Sequence, residues 1–66
     1  MNTTYNNDYT VLTANSLQVR FNHELDSSIV EYSTSGGEWV STNYESADFG
    51  HVATAIFRTV ANLLDI

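Results

Sequence analysis

The sequence predicts an α+β fold: a three- to four-stranded antiparallel β-meander with one C-terminal amphipathic α-helix packed on one face. Three observations lead there. Leu17, Val19, Phe21, His23 and Leu25 alternate with Gln18, Arg20, Asn22 and Glu24, the period of a strand with one face buried and one wet. Ser35-Gly36-Gly37 separates two strand-like runs, as a hairpin turn does. Between Ser46 and Ile66, Phe49, Val52, Ala53, Ile56, Phe57, Val60, Leu63 and Leu64 recur at steps of three and four, with His51, Thr54, Arg58, Thr59, Asn62 and Asp65 between them. That spacing is an apolar stripe on a helix.

Taken in order, residues 1–8 are polar and turn-prone and read as a flexible N-terminal tail; residues 9–66 form the single domain. Tyr9 to Ala14 is β-branched and aromatic enough for a short strand. Asn15-Ser16 is a plausible two-residue turn, since asparagine tolerates a positive φ. The alternating strand follows over Leu17–Leu25, and Asp26-Ser27 turns the chain.

The hairpin of Ser28–Thr34 and Glu38–Glu45 has two parities open to it. A three-residue loop pairs Tyr32 with Val40 and Val30 with Thr42, and places Trp39 on the polar face beside Glu31, Ser33, Ser41 and Asn43. A two-residue Gly-Gly loop pairs Tyr32 with Ser41 and sends Trp39 to the face of Val30. The first gathers Val30, Tyr32 and Val40 on one side and is preferred. The core face then carries Leu17, Val19, Phe21, Leu25, Val30, Tyr32 and Val40. Ser46 is the expected N-cap of the helix, Asp48 complements its positive end, and Gly50 permits close approach to the sheet.

Composition narrows function by exclusion. The chain has 66 residues, no cysteine, no lysine and a net charge of −6. Disulfides and thiolate metal sites are ruled out. Phosphate neutralisation needs clustered cations, so direct binding to nucleic acid or to an anionic membrane is not expected. There is no basic, apolar leader and no membrane-length apolar run, so a cytoplasmic protein is expected. A core of this size contributes no more than ~3–5 kcal/mol, which leaves oligomerisation or a partner as a source of stability.

No motif specifies a reaction. No serine or threonine sits in an activating sequence context, the glycine turn lacks a phosphate loop's lysine, and His23 and Glu24 point to opposite strand faces. Catalytic residues, metal ligands and cofactors are therefore all expected to be none. What remains is surface. Glu24, Asp26, Glu31, Glu38, Glu45 and Asp48 supply negative charge, and Trp39 amid polar neighbours is a candidate apolar anchor. In size and charge the chain resembles phage-encoded inhibitors of bacterial defence, the anti-CRISPR and anti-restriction proteins. That resemblance implies a non-enzymatic module that occludes, or mimics nucleic acid at, a cationic site of a larger protein. The alternative is a homo-oligomeric structural subunit that dimerises through the open sheet face or the helix.

Overall fold

The computed structural model describes residues 1–25 and 27–65. It holds a five-stranded antiparallel sheet in sequence order: β1 (Asn2–Asn6), β2 (Tyr9–Ala14), β3 (Leu17–Asn22), β4 (Ile29–Thr34) and β5 (Val40–Glu45). A 3₁₀ turn over Ser46–Phe49 leads into one α-helix, α1 (Ala53–Leu63), which lies over β2 and β3. The α+β reading holds, with five strands where three or four were expected. No helix among the described residues is long and apolar enough to cross a membrane.

The added strand is β1, in the segment read as a flexible tail. All five of its residues are exposed, so it shows no apolar alternation. It is held by the ladder to β2 and by the Asn7-Asp8 turn, where Asn7 takes a φ of 52°. Asn15 plays the same part between β2 and β3, with a φ of 55°.

The core faces α1. Leu12, Leu17, Val19, Phe21 and Val30 of the sheet meet Ile56 and Val60 of the helix, and all seven are buried. Tyr32, Tyr44, Phe49, Ala53, Phe57, Ala61 and Leu64 pack around them. Leu25 and Val40, expected in this set, are 54% and 45% exposed. For Val40 the reason is reach. An 11-residue helix is about 16 Å long, and α1 lies over β2 and β3 rather than the β5 edge. Leu25 lies past the end of β3, which stops at Asn22: the Asn22 Oδ1 accepts the Glu24 amide at 2.9 Å, and the Ser28 Oγ accepts the Asn22 amide at 2.7 Å. Polar side chains have captured the ladder's backbone groups.

The helix is also shorter than the periodicity suggests. Gly50 and His51 both take φ of 61°, which ends the 3₁₀ turn and re-aims the chain before α1. Phe49 therefore packs from the turn, edge-on to Tyr44 at 5.6 Å between ring centroids. Val52 precedes the helix and is 53% exposed; Leu63, at its last turn, is 57% exposed. Gly50 serves the left-handed φ rather than close packing, since a Cβ there would meet nothing within 4 Å. Ser46, expected as the N-cap, is buried inside the 3₁₀ turn. Glu45 is the capping position of that turn, its amide donating to Asp48 Oδ2 at 3.0 Å, and the N-cap of α1 itself is Val52, which makes no side-chain capping bond.

The β4–β5 hairpin turns at Ser35 and Gly36, with φ of 53° and 72°, and the Gly37 amide closes onto the Thr34 carbonyl at 2.9 Å. Gly37 adds the residue that brings Tyr32 opposite Val40, the preferred parity. The expected Val30–Thr42 pair is replaced by a bulge between Ile29 and Glu31. There Thr42 Oγ1 donates to the Val30 carbonyl at 2.7 Å.

Candidate functional site

The sheet face away from α1 is the uncovered surface, and its centre is a cross-strand assembly. Arg20 on β3 stands directly opposite Glu31 on β4, and its Nε donates to Glu31 Oε1 at 2.9 Å. The same guanidinium lies 4.1 Å from the centroid of the Trp39 ring and 5.2 Å from that of Tyr9. The planar cation thus lies against two aromatic rings while its Nε–H is bonded to a carboxylate that pairs its charge. The parity of the strands produces this: Tyr9, Arg20, Glu31 and Trp39 all project to the side opposite Val19 and Phe21. Thr4, Asn6, Val11, Thr13 and Gln18 complete a cleft of about 340 Å³ around Tyr9, Arg20 and Trp39.

The acids do not form one surface. Glu24 lies just past the end of β3, Glu45 ends β5, and Asp48 follows in the 3₁₀ turn; these share one end of the sheet. Asp8, in the β1–β2 turn, joins them there, with its carbonyl accepting the His23 amide at 2.9 Å. Glu38 precedes β5 at the opposite end. Glu31 is held by Arg20. Asp26 lies outside the described residues. Trp39 is on the polar face as expected, but half-buried against Arg20 rather than free. The residues that sequence reasoning left out of the site are Arg20 and Tyr9. Their shared parity with Trp39, carried across the sheet from β2 through β3 and β4 to the start of β5, was the available signal, provided the hairpin register was right.

A second cluster lies at the acidic end. Thr10 Oγ1 is 3.0 Å from His23 Nδ1, His23 Nε2 is 3.6 Å from Glu24 Oε1, and Tyr5 meets the imidazole edge-on at 6.2 Å. The order hydroxyl, imidazole, carboxylate is that of a nucleophilic triad. Thr10, however, is 3% exposed on the helix side of the sheet, so its oxygen cannot meet a substrate. Its hydrogen bond instead satisfies a buried hydroxyl. Among the described residues no group of three or more His, Asp or Glu side chains is arranged to hold a metal ion.

No family model matches the chain, and neither the curated proteins nor the solved structures compared with it yield a match.

Proposed function

We propose that this chain is a non-catalytic protein-binding module that works in the cytoplasm by covering a cationic surface of a larger protein. The outer sheet face is its docking surface. The observation that supports this reading is the Trp39–Arg20–Tyr9 assembly, which keeps large aromatic area ordered on a face that no element among the described residues covers. Tryptophan, tyrosine and arginine dominate binding energy where they are measured, and side chains already held in place lose little entropy on docking. A net charge of −6 adds long-range attraction toward a basic partner.

The division of the acids between two ends favours steering over mimicry of a phosphate backbone. An inhibitor of the phage type would then act by occlusion with its face, while Glu24, Glu45 and Asp48 speed the encounter.

Affinity capture from lysate, using wild-type protein beside two variants, tests this. Trp39→Ala is expected to lose a protein that the wild type retains. Glu24→Lys with Glu38→Lys takes the charge from −6 to −2, since each reversal adds two, and is expected to slow association and to lessen its salt dependence. Identical capture by wild type and a folded Trp39→Ala variant would rule out the face as the docking surface.

A further inference from the structure

The sheet has two edges, and they are built differently. On β5 the pairing with β4 slips at a bulge, Thr42 turns its hydroxyl onto the neighbouring strand, and Glu45 leads straight into the 3₁₀ turn. Bulges and charges are devices that keep an edge from pairing with another chain. On β1 there are none. Asn2-Thr3-Thr4-Tyr5-Asn6 has no charge and no proline, its register against β2 is unbroken over five residues, and all of them are exposed.

The ladder decides which backbone groups of β1 are free. Asn7 and Asp8 make a two-residue turn, so Asn6 and Tyr9 flank it as a hydrogen-bonded pair. Alternation makes Thr4–Val11 and Asn2–Thr13 pairs of the same kind. The N–H and C=O of Thr3 and Tyr5 therefore point away from β2, toward the open edge.

We propose that a second copy of this chain occupies that edge, β1 against β1 in antiparallel sense, with a twofold axis at Thr4. In this register Thr3 of each copy faces Tyr5 of the other. Both N–H groups donate to the facing carbonyls, so every free backbone group of Thr3 and Tyr5 is used. The side chains agree with the backbone, because the strand reads almost alike from either end about Thr4. Asn2 faces Asn6, Thr4 faces its own copy, and Thr3 meets Tyr5; aromatic–β-branched and Thr–Thr pairs stabilise antiparallel ladders. This self-complementarity selects a second copy over an unrelated strand. Charge permits it: the antiparallel sense sets the end bearing Asp8, Glu24, Glu45 and Asp48 beside the opposite end of the other copy. The two outer faces then continue as one sheet, with Thr4 at the axis lining the clefts of both copies.

The chain has no cysteine, so a single introduced thiol reports the register. Thr4→Cys sets two thiols opposite each other at a non-hydrogen-bonded pair, where Cα atoms lie about 4.5 Å apart, within reach of a disulfide. Under mild oxidation it is expected to form covalent dimer faster, on the order of tenfold, than Ala47→Cys, an exposed thiol on the 3₁₀ turn. Asn2→Cys mixed with Asn6→Cys is expected to cross-link as a heterodimer faster than either does alone. Adding Tyr5→Pro to Thr4→Cys removes an N–H that the β1–β2 ladder does not use. It is expected to return cross-linking to the Ala47→Cys rate with an unchanged circular dichroism spectrum. The proposal is overturned if Thr4→Cys cross-links no faster than Ala47→Cys, or if the Asn2 and Asn6 thiols show no preference for each other.

Discussion

On the helix side of the sheet, Leu12, Val19, Phe21 and Val30 lose nearly all contact with water; one residue away along the same strands, Val11, Arg20 and Glu31 keep it. The first set is held by exclusion of solvent beneath Ile56 and Val60. The second is ordered without being covered: a guanidinium fixed by one carboxylate and two rings. Burial of an aliphatic side chain is worth about 1.5–3 kcal/mol, whereas an exposed ion pair contributes about 0–1 kcal/mol. Most of the stability is therefore expected from the helix side, and substitutions on the outer face should cost less.

Substitutions that separate the faces should show this in order of size. Phe21→Ala removes a fully buried ring and is expected to cost about 3–5 kcal/mol, as much as a core of this size supplies. Loss of the folded circular dichroism spectrum at 25 °C is the readout. Ile56→Ala, from the helix side of the same core, is expected to cost about 2–5 kcal/mol and to lower the urea midpoint steeply. Gly50→Ala forces a side chain into a φ of 61° and is expected to cost about 1 kcal/mol, although the space is open. Glu31→Gln is the smallest change, up to about 1 kcal/mol. Its effect should shrink when the urea titration is repeated in high salt, because the pair it breaks is partly solvated.

Much of this division was legible from residue order alone. Alternation in Leu17–Phe21 assigned the faces of β3. The glycine turn gave the Tyr32–Val40 register, and with it the side on which Trp39 falls. Two kinds of feature were not legible. β1 buries no side chain, so nothing periodic announces it; its evidence is backbone pairing, which sequence does not display. The break at Gly50-His51 was masked because Phe49 and Val52 happen to extend the helical spacing of Ala53, Ile56 and Phe57. At the site, Trp39 was visible as an anchor and the acids as charge. Their distribution was not, because Glu38 and Glu45 sit at opposite ends of one strand, a separation that only the fold reveals.

We propose that the outer assembly serves recognition and is not a second core, and Trp39→Ala addresses that distinction most directly. Removing the ring, which is half-buried against Arg20 beside the cleft, should leave the urea unfolding midpoint, followed by far-UV circular dichroism, close to that of the wild type. A fall in midpoint as large as that of Ile56→Ala would contradict the account, because Trp39 would then be holding the fold together.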